Sequence, residues 1–281
     1  MTIAATRSTE PANRKNMYSV GYDPSTAAFF GARRAATHAA FFLPHLRRGM
    51  RLLDGGCGPG SITIDLAALV SPGEVIGIDI EPSQIDLARK QAAEQKVSNV
   101  RFEVANLHAL PFQDKSFDAV LLHGILEHVD DPAAGLREVY QLLKPGGVLG
   151  ARHADFGGFL LEPAPAPLDR FAGLFEQLMA RNGADPRAGR HQLGWLRVSG
   201  FARIEVSASY DCWTRTPIEA CRNARFLADL ISDSAFATQV VQAGLADRTM
   251  LETMCQSFLE WGANPDAFAA EAWGEAIAWK A

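Results

Sequence analysis

Residues 51–61 read RLLDGGCGPGS, and the order of these residues decides the fold. Arg51, Leu52 and Leu53 form a short apolar run, uncharged after its first residue, and Asp54 closes it. Glycines stand at 55, 56, 58 and 60, with Pro59 between the last two. After Ser61 the pattern changes, because Ile62, Leu66 and Leu69 recur at helical spacing. A buried strand therefore runs into a glycine-rich turn that opens a helix. Glycine lets a backbone take positive φ and lie close to a ligand. A helix start adds free N–H groups at the positive end of a dipole. Together they make a pocket for a carboxylate, a phosphate or a ribose. Spacing narrows that choice. A G-x-G-x-x-G fingerprint begun at Gly56 needs glycine at 61, where Ser61 stands, and a phosphate loop needs a lysine after Gly60, where there is none. What is present is D-x-G-x-G-x-G, from Asp54 to Gly60.

Further segments follow in order. Residues 74–80 (EVIGIDI) are rich in β-branched side chains and predict a second strand. Asp79 ends it, 21 residues after Gly58. An acid at this position of such a unit can accept hydrogen bonds from both ribose hydroxyls. Pro82 opens a helix to about Lys96, with Ile85, Ala88 and Ala92 spaced for burial. Val100–Val104 is a third strand and leads into NLHALPF at 106–112. Residues 116–123 (SFDAVLLH) form a fourth, followed by GILEHV and by Asp130, Asp131 and Pro132, which begin a helix with Leu136, Val139, Tyr140 and Leu143 on one face. LKPGG at 143–147 turns the chain into a fifth strand over 148–154. Strands alternating with helices from 51 to 155 predict an α/β, doubly wound sheet with helices on both faces.

These segments, in this order, resemble the class I S-adenosylmethionine-dependent methyltransferases, and the quinone-biosynthesis (type 11) subgroup in particular. The resemblance covers about half the chain and rests on DGGCGPG, GIDIEPSQIDLAR, ANLHALPF, FDAVLLHGILEHVDDP and LKPGG. It implies a mostly parallel seven-stranded sheet whose last strand is antiparallel, and S-adenosyl-L-methionine as cofactor. It further implies that Asp54 and the backbone of Gly55, Gly56, Cys57 and Gly58 hold the methionine part. Asp79 would then hold the ribose, Ile80 would pack on the adenine, and Gln84 and the Leu107 backbone would complete the nucleoside side. Relatives carry Asp where this chain has Asn106; an amide oxygen can still accept from the adenine amino group. Glu127 and His128 serve relatives mostly as residues that tie the loop.

His123 ends the fourth strand, where open α/β sheets bind ligands, and is a candidate for cofactor or substrate contact. His153 and Asp155 end the fifth and are candidates for a general base. Residues 17–30 carry two tyrosines and two phenylalanines. Asp23-Pro24-Ser25 opens a helix, and a second helical stretch is expected from 33 to 46. Aromatic faces attract cations, so Tyr18 or Tyr22 in a lid would suit a sulfonium.

The chain has 281 residues, 48% hydrophobic, with net charge −5 and no long basic run. That argues against nucleic acid or an anionic membrane as partner. The N-terminus lacks an apolar signal core and reads as a mobile tail over 1–16. Cys57, Cys212, Cys221 and Cys255 show no metal-like spacing and fit free thiols in a cytoplasmic protein. No metal is implied, since the fourth strand ends in Leu121, Leu122 and His123 without a carboxylate.

The expected organisation after the tail is a lid over 17–48 and a cofactor core over 49–156. A helical insertion over 157–200, with amphipathic runs at 168–179 and 190–199, precedes a core strand over 201–211. A helical cover with breaks near Ser232 and Gly244 occupies 212–267. The composition of 268–281 predicts a helix, whereas the resemblance predicts the last strand. The reading is a methyltransferase acting on an O, N or C nucleophile of a small, partly hydrophobic molecule. A protein or nucleic-acid methyltransferase, a non-catalytic adenosylmethionine-binding module and, more distantly, a nicotinamide oxidoreductase are the alternatives. The oligomeric state is left open.

Overall fold

A computed structural model describes residues 18–281; the tail over 1–16 lies outside the described residues. Helices α1 (Pro24–Gly31) and α2 (Ala35–His38) precede strand β1 (Leu52–Gly55), helix α3 (Ser61–Val70), strand β2 (Val75–Asp79) and helix α4 (Pro82–Glu94). Then come β3 (Val100–Val104), β4 (Phe117–His123), α5 (Pro132–Leu142), β5 (Leu143–Glu162), α6 (Ala166–Asp169), α7 (Phe171–Arg181) and α8 (Ala188–Val198). The chain finishes with β6 (Arg203–Cys212), α9 (Pro217–Ser232), α10 (Ala235–Gln242), α11 (Arg248–Gly262) and β7 (Phe268–Trp279).

The seven strands lie in the order β3-β2-β1-β4-β5-β7-β6. β7 runs antiparallel to both its neighbours, and the other pairings are parallel. The order reverses between β1 and β4, so their carboxyl ends open a crevice, the place where such sheets take ligands. One face of the sheet (Leu52, Ala119, Leu121, Val148) is covered by Leu66 and Val70 of α3 and by Phe42. The other (Leu53, Val120, Leu122, Leu149) is covered by Leu136 and Val139 of α5 and Leu196 of α8. A separate apolar core joins Leu174, Phe175 and Leu178 of α7 to Leu227 and Ile231 of α9, Phe236 of α10 and Phe258 of α11. Each such side chain contributes about 1.5–3 kcal/mol when fully buried, which makes this cover a packed body rather than a loose flap.

Two expectations are corrected, and a third question, left between composition and resemblance, is decided. The helix over 33–46 is broken into α2 and a short turn at Leu43–His45, because the chain bends to drive fully buried Phe42 onto the sheet, where a Cβ on Gly150 would lie 2.5 Å from its ring. β5 does not end near Ala154 but runs to Glu162, so the helical insertion starts later than 157. Its partner explains the length, since β7 pairs with it from Val148–Trp279 to Glu162–Phe268. The composition of 268–281 favours helix, yet residues 268–279 form β7, the antiparallel last strand that the resemblance implies. They are the inner strand between β5 and β6, and this tertiary pairing overrides propensity.

α8 reaches β7 only because both carry glycine at the crossing. A Cβ on Gly274 would fall 2.1 Å from the Gly189 carbonyl oxygen. Gly274→Ala is therefore expected to destabilise the protein by about 2 kcal/mol or more, since the clash is with backbone that cannot rotate away. A urea titration reads this as a lower midpoint.

Candidate functional site

The glycine turn is fastened before any ligand is considered. The N–H groups of Gly56 and Cys57 both donate to the Ile78 carbonyl at 2.8 Å. The Gly58 N–H donates to Asp79 Oδ2 and the Glu81 N–H to Oδ1, each at 2.9 Å. Gly58 has φ +51, and a Cβ there would meet nothing within 4 Å. A side chain would thus stand in the hollow the loop encloses. Gly60 serves packing instead, because a Cβ on it would lie 2.7 Å from Ala88 of α4.

The hollow belongs to a cavity of about 310 Å³ at the carboxyl ends of β1, β2 and β4. Of the residues expected to bind cofactor, Tyr22, Asp54, Gly56, Cys57, Gly58, Asp79, Ile80, Gln84, Asn106, Leu107 and His123 all line it. Asp54 is buried, with Thr63 Oγ1 donating to its Oδ2 at 2.6 Å, and its other oxygen bonds to no described residue. Burial lifts its carboxyl to about 7, against the Thr63 hydrogen bond. Asp79 is also held above its ordinary range by burial, although backbone N–H groups, those of Glu81 and Gly58 foremost, pull the other way. Burial raises the Cys57 thiol well above the usual value, with Asp54 and Asp79 adding to it, so a nucleophilic thiolate is disfavoured there. Ile80 is 60% exposed at the cavity wall, an apolar surface left uncovered by the protein. Asn106 Oδ1 accepts from the His108 N–H at 2.9 Å and retains a second lone pair. On the lid side, Tyr18 and Tyr22 stack at 4.9 Å, and Tyr18 meets His128 edge-on at 4.8 Å. Burial pushes the Tyr22 hydroxyl up to about 12, so it stays neutral.

Three predicted residues do not reach the cavity. Gly55 faces the α5 layer, where its Cβ would be 2.6 Å from Leu122. His153 and Asp155 have the wrong parity, since successive strand residues point to opposite faces. Their neighbours Arg152 and Ala154 take the cavity side of the sheet. His153 is fully buried beneath it, with Nδ1 2.8 Å from Glu127 Oε2. That contact holds the Glu127 carboxyl below its usual range despite burial. Asp155 is clamped by the Arg190 guanidinium of α8 through both oxygens.

His123 does line the cavity, but its environment changes its chemistry. Its Nε2 lies 3.1 Å from Arg152 Nη1. Arginine can only donate, so Nε2 accepts and the ring proton sits on Nδ1. Burial, with Arg33 and Arg152 nearby, holds its pKa well below the ordinary value. His123 is a neutral hydrogen-bond donor toward the cavity, with its ring stacked 5.0 Å from Trp273.

Sequence reasoning missed the other half of the wall. Arg33, in the link between α1 and α2, sets its guanidinium over Phe30 (4.6 Å) and Trp273 (5.3 Å) and makes no side-chain hydrogen bond to a described residue. Glu271 and Trp273 come from β7. Phe29, Phe159, Phe171 and Trp213 close an apolar chamber above them. The signal was the period-2 series Glu271, Trp273, Glu275, legible only once 268–279 is read as a strand. Among the described residues no group of three or more His, Cys, Asp or Glu side chains is placed to hold a metal, and no helix is long and apolar enough to cross a membrane.

Residues 46–184 match the family model described as a methyltransferase domain. The chain is 33% identical over 207 residues to an uncharacterized methyltransferase of Schizosaccharomyces pombe, covering 70% of this chain and 72% of that one. It is 34% identical over 145 residues to a ubiquinone/menaquinone biosynthesis C-methyltransferase of Yersinia enterocolitica, covering 51% of this chain and 57% of that one. In fold it is similar to the YcgJ protein of Bacillus subtilis, with a TM-score of 0.59 at 20% identity over 87% of this chain and 98% of that one.

Proposed function

We propose that this chain, which belongs to the methyltransferase domain family, moves the methyl group of S-adenosyl-L-methionine to a nucleophile of a small, partly hydrophobic molecule. The observation that carries the reading is the cradle over Gly58, with Asp54 and Asp79 opening into the same cavity. The free oxygen of Asp54 suits an amino-acid ammonium. The Asp79 carboxylate has lone pairs to spare for a sugar diol beyond its two backbone donors. Ile80 and Leu107 offer an apolar slot for a flat base, with Asn106 and Gln84 at its edge.

Adenosylmethionine supplies an activated methyl group on a sulfonium. The residues of this chain bind, orient and exclude water. Alignment of that kind can lower a barrier by about 7–11 kcal/mol in favourable cases. The Tyr18–Tyr22 pair offers aromatic faces to a cation, and the phenylalanine-rich chamber supports a partly apolar acceptor. The four free cysteines support a reducing, cytoplasmic setting.

Calorimetry tests the cofactor directly: adenosylmethionine is expected to bind and NAD not to, and the reverse result would end the reading. A pH series adds a signature. An ammonium pairs with ionised Asp54, whose carboxyl titrates at about 7, so affinity should rise as pH increases through that value and then level off. Binding near neutrality should release protons, and Asp54→Asn should flatten the dependence.

A further inference from the structure

Glu271 is 5% exposed, lines the cavity, and its carboxylate accepts no hydrogen bond from any described residue. A buried acceptor without a donor is costly, so its open side calls for a ligand donor. Local topology keeps it open. β7 pairs Ala272 with Asp155 and Ala270 with Leu160, so β5 bulges outward over residues 156–159 opposite Glu271. The bulge places Phe156 and Phe159 on the same cavity. The Arg33 guanidinium likewise donates to no described residue and is the strongest opposite charge acting on Glu271. The His123 Nδ1–H makes a third open group.

We propose that Glu271 takes the proton of a phenolic hydroxyl on an apolar aromatic substrate, while the Arg33 guanidinium and the His123 Nδ1–H hold the resulting oxyanion. This rests on the methyltransferase reading of the same cavity and names its acceptor class. The step balances: the hydroxyl proton passes to a Glu271 oxygen, and the O–H electron pair stays on the phenolate. An ammonium substrate is disfavoured because it would sit beside Arg33, whereas a neutral hydroxyl that becomes an anion gains from it. The rings of Phe29, Phe30, Phe159 and Trp213 suit a flat apolar body. Burial holds the Glu271 carboxyl at about 7, opposed by Arg33 and then raised by Asp211, with Arg152 lowering it and Glu127 raising it. His123, Tyr18 and His128 also line the cavity, the first neutral and the second held protonated by burial. A base titrating near neutrality is well matched to its task.

The probe is phenol, whose phenolate has its own ultraviolet band, at about pH 8, where a free phenol is neutral and Glu271 is ionised. On the wild-type protein the phenolate band should appear with no net proton released to buffer, whereas on Glu271→Gln any band should come with about one proton released. No band on the wild type, or a proton released to buffer there, overturns the proposal. With an accepted phenol as the varied substrate and adenosylmethionine saturating at every pH, so that the Asp54 titration drops out, kcat/KM should rise with pH through about 7 and lose that limb in Glu271→Gln, falling by about 10²–10⁴-fold. An unchanged pH profile also overturns it. Adenosylmethionine calorimetry on both proteins separates the two levels. Unaltered cofactor binding with a failed phenolate signal leaves the methyltransferase reading standing, and absent cofactor binding removes that reading whatever the probe shows. If the variant misfolds, the wild-type band alone decides.

Discussion

Asp79→Ala is expected to weaken adenosylmethionine binding by about 10²–10⁴-fold. Two charge-assisted hydrogen bonds to a sugar diol are worth about 1.5–3 kcal/mol each, and about 1.4 kcal/mol is a factor of ten in Kd. The carboxylate also accepts from Gly58 and Glu81 at 2.9 Å, so its loss frees the turn that forms the cradle. Asp79→Asn should fare little better. Both oxygens face a backbone N–H, and an amide group must set its own N–H against one of them. Asp86, on the exposed side of α4 with its side chain 75% accessible, supplies the control: Asp86→Ala should bind within about twofold of wild type, since exposed ion pairs are worth little. Cofactor affinity unchanged in Asp79→Ala would remove the nucleoside site from this end of β2.

The second large effect is on stability. Arg152 is 1% exposed and every part of its guanidinium is engaged. Nε donates to Glu275 at 3.2 Å, Nη1 to Asp211 at 3.1 Å and to His123 Nε2 at 3.1 Å, and Nη2 to Ser209 at 3.1 Å and Asp211 at 2.9 Å. The plane lies 4.3 Å from the Trp273 ring centre. Arg152→Met fills similar space but leaves Asp211 and the His123 acceptor without their donor and Glu275 with only the Ser207 and Ser209 hydroxyls, so a loss of about 3–5 kcal/mol is expected. Guanidinium titration should show the midpoint falling with little change in slope. Arg152→Lys should rescue only part of the loss, because an ammonium cannot reproduce the five-donor fork. Adding Glu275→Gln to Arg152→Met should recover some stability, since the pair shares one network. A loss below about 1 kcal/mol in Arg152→Met would mean that the cluster is more hydrated than its burial indicates.

This network also decides what His123 can do. The residue is legible in the sequence as the last position of a strand at a ligand-binding edge. Its role is not, because the tautomer depends on Arg152, which lies on β5 in register with it. The same register sets Glu275 opposite Arg152 on β7 and Ser207 opposite Glu275 on β6. A row of polar side chains thus crosses four strands that are far apart in sequence. His153 and Asp155 show the complementary failure. They lie on the right strand, level with the cavity, but a shift of one residue sends a side chain to the other face.

The sequence by itself determined the first crossover unit and the half of the cavity beside the glycine turn. Those features are local: glycine spacing, an acid at the end of a strand, and prolines at helix starts are all set within a few residues of where they act. Tertiary structure alone decided the other half. Arg33, Glu271 and the chamber of aromatic rings meet only because β7, composed like a helix, inserts between β5 and β6, and because the cover helices find their apolar partners across the chain. Long-range pairing and burial override local propensity there, so the groups on that side of the cavity become visible only when the strands are laid side by side.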